Sequence, residues 1–160
     1  MSQSNQKNIT AMSVKMLAEI TSSNDGEIYG KLDCMYFEEP FKFTCLIRMI
    51  EMMETTFDAK GFPEKQLLPR TFYKAKKRLR KHELDINAYM KEQTTTQTQS
   101  KPDGKKCTFE ILVRFRHNAE WQGSIQWIEK GVVKQFSSIV EMVKLIDTAL
   151  SDDDTYSEKT

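Results

Sequence analysis

The stretch "TFEILVRFRHNAEWQGSIQW", Thr108–Trp127, decides the fold. Its opening alternates with period two. Phe109, Ile111, Val113 and Phe115 are expected on one face, and Glu110, Leu112, Arg114 and Arg116 on the other, as in a half-buried strand. "HNAE" carries turn chemistry, since asparagine tolerates left-handed backbone. Beyond it, Trp121, Gly123, Ile125 and Trp127 share the parity of a second strand. The stretch therefore predicts a β-hairpin whose tryptophans face the core and whose arginines face water. The register, which sets the arginines against the tryptophans, is not legible in the sequence.

Downstream, "EKG" predicts a turn with Gly131 at positive φ, and "VVKQF" a short third strand. In "SSIVEMVKLIDTAL", Ser138 and Glu141 have the S-x-x-E spacing of a capping box. Ile139, Met142, Val143, Ile146 and Leu150 then form one apolar helical stripe. The unit reads β-β-β-α.

A similar unit lies upstream at a constant spacing of 93 residues. Gly30 falls on Gly123, Leu32 on Ile125, Phe43 on Phe136, Leu46 on Ile139, Met49 on Met142 and Met53 on Ile146. A fixed spacing without gaps is the signature of a structural repeat. Thr44 stands where Ser137 stands, placed to cap. The start of the first unit, Val14–Thr21, fits either a strand or a short helix. Gly61 and Pro63 end its helix. A further helix is expected from Pro69 to Met90, with Ala75, Leu79, His82, Ile86 and Tyr89 along its packing seam.

The expected fold class is α+β: two related β-β-(β)-α units, each an antiparallel sheet packed by a helix, plus that extra helix after the first. Residues 1–10 are expected to be disordered, 11–90 to form the first unit with the basic helix, and 91–106 to be a flexible linker. Residues 107–150 form the second unit and 151–160 a disordered acidic tail. The linker, "KEQTTTQTQSKPDGKK", has almost nothing apolar to offset its ordering entropy. A unit of this size buries little by itself, so strand edges or helix flanks are expected to pair with the other unit or with a second chain.

In 160 residues, 24 Lys and Arg stand against 23 Asp and Glu, a formal charge of +1. No global field favours nucleic acid or an anionic membrane. No apolar run reaches the length of a bilayer span, and the polar N-terminus lacks a signal-peptide plan, so a cytoplasmic protein is expected. Three cysteines without a C-x-x-C pair argue against a disulfide framework. His82 and His117 have no cysteine at metal-ligand spacing, so neither a metal nor another cofactor is expected.

Candidate chemistry is sparse. His117 with Glu120 or Asn118 has the makings of a general base but no nucleophile nearby, and turn chemistry explains it better. Glu38 and Glu39 before Pro40 read as solvated turn residues. Two features suit anions. The helix "RTFYKAKKRLRKH" offers Arg70, Lys74, Lys77, Arg78 and Lys81 for phosphates. The hairpin offers Arg114 and Arg116 for phosphate and Trp121 for stacking a base, for example of a cyclic dinucleotide. Met49, Met52 and Met53 suit an adaptable interface, with core packing as the simpler alternative.

The pattern of "NAEWQGSIQW" and "QFSSIVEMVKLIDTAL" resembles small β-β-β-α domains of uncharacterised bacterial proteins, across Thr108 to Leu150. Its most specific parts are Trp121-Gln122-Gly123, Trp127 and Phe136-Ser137-Ser138. "EEPFKFTCLIRMIEMMETTFDAKGFP" resembles the segment that accompanies such domains. The resemblance implies a fold and a bacterial cytoplasm, and no reaction. The order of elements is also similar to double-stranded-RNA-binding and HicB-like antitoxin domains. The basic helix start of the first and the glycine-containing strand of the second are missing here. The expectation is a non-catalytic binding or regulatory protein whose partner is another protein or a second copy of itself. The alternative is a binder of nucleic acid or nucleotides.

Overall fold

The computed structural model describes residues 14–23, 27–63, 65–66, 85–94, 104–117 and 120–151. The fold is α+β. Strands β1 (Met16–Ser23), β2 (Ile28–Cys34) and β3 (Phe41–Phe43) lead into helix α1 (Leu46–Lys60). A two-residue strand β4 (Lys65–Gln66) and helix α2 (Ile86–Thr94) follow. Then come β5 (Gly104–His117), β6 (Glu120–Trp127), β7 (Val132–Phe136) and helix α3 (Ile139–Ser151). Of the segment 14–21, open between strand and helix in the sequence, residues 16–21 belong to β1.

The strands form one antiparallel sheet in the order β3-β2-β1-β5-β6-β7, with β4 alongside β5 in parallel. The junction between the two halves is the β1–β5 ladder, in which Met16 faces Ile111 and Ile20 faces Cys107. The halves thus share a sheet within one chain.

Equivalent pairs recur at the spacing of 93 residues. Ile20 faces Gly30 as Val113 faces Gly123. Gly30 faces Phe43 as Gly123 faces Phe136, and Met16 faces Cys34 as Phe109 faces Trp127. Both glycines sit where backbone crosses closely. A Cβ on Gly30 would strike the Glu19 carbonyl oxygen, and one on Gly123 would strike that of Leu112. Any side chain there forces the ladder apart.

One face of the sheet carries the core. Met16, Ala18, Ile20, Leu32, Phe109, Ile111, Val113, Trp121 and Ile125 meet Met49, Met53 and Phe57 of α1 and Met142 and Ile146 of α3. Each large apolar side chain moved out of water there contributes roughly 1.5–3 kcal/mol. Phe57 meets Trp121 edge to face, with ring centroids 5.4 Å apart. Thr56 is buried too, and its hydroxyl donates to the Met52 carbonyl at 2.7 Å. The opposite face is lined by charges paired across β1 and β5. Lys15 bridges Glu110 at 2.9 Å, and Lys106 bridges Glu19 at 3.0 Å.

Local signals explain the ends. Gly61 takes the left-handed conformation, φ 68°, and its N–H caps the Phe57 carbonyl of α1. Gly131 does the same in the β6–β7 turn, φ 66°. At α3, Glu141 N–H donates to Ser138 Oγ at 3.0 Å. The Glu141 carboxylate reaches one residue further back than a capping box requires, accepting from Ser137 N–H and Oγ, each at 2.8 Å. The first unit differs, for α1 starts after Cys45 with no side-chain cap and Thr44 does not supply one.

Other boundaries shift. Lys91–Thr94, expected in the linker, continue α2, and Gly104–Lys106 open β5. The rest of that segment, and the basic residues Arg70, Lys74, Lys77, Arg78 and Lys81, lie outside the described residues. Within the seam expected for that helix, Ile86 is buried and Tyr89 half-buried. No described helix is long and apolar enough to cross a membrane.

Candidate functional site

Strand β5 keeps its alternation only as far as Val113. There the register with β6 jumps: Val113 faces Gly123, and Phe115 faces Gln122. Arg114 is the extra residue of a β-bulge, and every later side chain changes face. Phe115, expected inside, is 54% exposed. Arg116, expected in water, is 2% exposed and shares the core side with Trp121. That corrects two sequence expectations with one cause.

Arg116 is buried because partners await it. Its Nε donates to the Pro63 carbonyl at 2.7 Å, and Nη1 meets Asp58 Oδ1 at 2.8 Å. The guanidinium also lies 5.4 Å from the Phe57 ring centre. A buried charge is tolerated when paired and hydrogen-bonded in this way. These bonds tie the end of α1 to β5, and Arg116 has no face left for a phosphate. Trp121 is 1% exposed and fills the core, so it stacks no base. Met49, Met52 and Met53 are likewise fully covered by their own chain, which makes them core rather than docking residues.

On the open face, the bulge leaves an aromatic and basic group. The Phe115 and His117 rings lie 6.0 Å apart, tilted by 30°. The exposed Arg114 donates to Gln135 Oε1 at 3.2 Å.

The other reactive groups are not assembled. Burial pushes the Cys34 and Cys107 thiols above their ordinary range, which makes both poor nucleophiles at neutral pH. Cys107 Sγ points at the Ala149 carbonyl, 3.8 Å away. A cleft of about 510 Å³ lies between α2 and the β2–β3 connection, lined by Glu38, Glu39, Lys42, Asn87 and Lys91 among others. Its polar groups serve the fold. Asn87 accepts from Glu38 N–H at 3.0 Å and donates to the Tyr36 carbonyl at 3.3 Å. Among the described residues, no three His, Cys, Asp or Glu side chains are placed to hold a metal.

The two outer edges of the sheet differ most. In the second unit, pairing continues through Gln126–Val133 to Trp127–Val132. In the first, it stops at Leu32–Phe41. At the spacing of 93, Pro40 stands where Val133 stands and Glu39 where Val132 stands. Proline has no amide for a ladder and an acidic neighbour resists burial, so the β3 edge is blunted. Helix α2 packs beside it, with Ile86 and Met90 buried. Among the described residues, the β7 edge has neither device. Val132 and Val133 are 43% and 52% exposed, on opposite faces of the strand, and no described strand pairs with its outer side. The sequence reading passed over this edge. Its signal was the replacement of Glu-Pro by Val-Val at equivalent positions.

Comparison with protein-family models, with curated proteins and with solved structures returns no match.

Proposed function

We propose that this chain is a non-catalytic binding or regulatory protein of the bacterial cytoplasm, built from a duplicated β-β-β-α unit and acting through protein–protein contacts. The matched registers at a spacing of 93 support the duplication. The β7 edge, whose outer side no described strand pairs, carries the functional reading. An outermost strand with apolar side chains on both faces has the pattern of a strand inside a sheet. Adding a partner strand satisfies its backbone and covers both valines.

A photo-crosslinking side chain at Val133, compared with one at Phe115 on the open face, tests the reading in cells. Protein crosslinks concentrated at Val133 support it. Crosslinks confined to Phe115, or absent from Val133, count against it.

The second reading is nucleic-acid or nucleotide binding. It is favoured by Arg114, Phe115 and His117, exposed together on an open sheet. Base stacking on aromatic side chains and phosphate contact from arginine are the relevant chemistry. Binding of a fluorescent oligonucleotide or cyclic dinucleotide should then weaken steeply with salt and drop on Phe115→Ala. No binding at low salt removes this reading.

A further inference from the structure

We infer that the strand added to β7 is β7 of a second copy of the chain, antiparallel and centred on Val133; this rests on the proposed role of that edge. Two observations select a second copy. First, the sheet already contains a junction of this kind. In the β1–β5 ladder, Leu17 faces Glu110, the residue 93 positions later, so equivalent strands of the two units pair antiparallel about their own midpoint. Second, the β7 sequence is self-complementary in that arrangement. Val133 would face its own counterpart on the open face, where Val133 and Gln126 already pair. Val132 of each copy would face Lys134 of the other on the helix side. No lysine then lies opposite a lysine, whereas like charges directly opposed destabilise a ladder.

The pairing continues one sheet across two chains, with helices on the same side. A five-residue edge buries little area, so the association is weak by the standard of stable interfaces, which cover about 1,200–2,000 Å². It therefore populates as concentration rises.

The full chain is tested by sedimentation velocity from about 1 μM to about 1 mM. The expected result is a concentration-dependent shift from monomer to dimer. Val133→Lys, which opposes two lysines at the centre, should move the midpoint at least tenfold higher. Its circular dichroism and melting temperature should match the wild type, because the position is half exposed. Directly opposed antiparallel residues have Cα atoms about 4.5–5.5 Å apart, within reach of a disulfide. Val133→Cys in a Cys45→Ser background should therefore give, under oxidation, a dimer on a non-reducing gel that reductant dissolves, and Lys31→Cys on the open face should not. A monomer at every concentration with no Val133→Cys crosslink overturns the inference. So does a dimer indifferent to Val133→Lys. A monomeric chain whose Val133 crosslinks a different protein in cells overturns the second-copy partner while leaving β7 as a docking edge.

Discussion

Arg116 Nη1 lies 2.8 Å from Asp58 Oδ1, joining a strand of the second unit to the helix of the first across 58 residues of chain. The arginine is buried and the aspartate half exposed, so the two ends of this bond are unequal. Arg116→Ala leaves the Pro63 carbonyl without its donor and opens space beside Phe57 and Trp121. A loss of about 2–4 kcal/mol in urea unfolding is expected, by the usual cost of breaking a buried charge-assisted contact. Asp58→Ala should cost less than half as much, because water screens and replaces the exposed carboxylate.

Phe115 and Phe109 lie in the same strand and should respond in opposite ways. Phe109 is buried, and Phe109→Ala is expected to cost about 3–5 kcal/mol. Phe115 faces water after the bulge, and Phe115→Ser is expected to fall within about 0.5 kcal/mol of wild type. Equal losses at the two positions would place Phe115 in the core and refute the bulge.

Gly30→Ala and Gly123→Ala should be alike. Each adds a Cβ against a backbone carbonyl that cannot turn aside, Glu19 in one case and Leu112 in the other. A loss of about 1–3 kcal/mol apiece is expected from overpacking, measured by thermal unfolding. Gly131→Ala should hurt for a different reason. Space is free there, and the strain comes from positive φ.

Hydrogen bonds from the Ser137 backbone and hydroxyl hold the Glu141 carboxyl below its ordinary pKa of 4.5. A group depressed in the folded state stabilises it fully above the ordinary value and loses that contribution as pH falls through the lowered one. Protection of the amides in the first turn of α3, taken relative to the intrinsic exchange rate at each pH from about 6 to about 3, should therefore fall in acid. Glu141→Gln should exchange faster at pH 6 and show a smaller acid-side change.

Strands β2, β3, β5, β6 and β7, the two main helices and the left-handed glycines were legible because each is written in local periodicity or turn chemistry, whereas β1 stayed open between strand and helix and the two-residue β4 carried no signal. The bulge was not legible. No glycine or proline marks Arg114, and the reversal of Phe115 and Arg116 is decided by Asp58 and Pro63, some fifty residues away. Trp121, expected in the core from its parity, is buried there against Phe57. The joining of the units through β1 and β5 was left open for a similar reason, since many strands could share those apolar parities. The β7 edge was legible in principle, as Val132-Val133 against Glu39-Pro40. That contrast acquires meaning only when both pairs are known to lie on outer strands.

The central ladder also orders events on the ribosome. Met16–Ser23 leaves the exit tunnel long before Gly104–Ile111, its pairing partner, has been translated. At ordinary elongation rates the interval is on the order of ten seconds. For that time the nascent first half presents Met16, Ala18 and Ile20 on a strand whose neighbour does not yet exist, and a chaperone that shields extended apolar segments would find its client there.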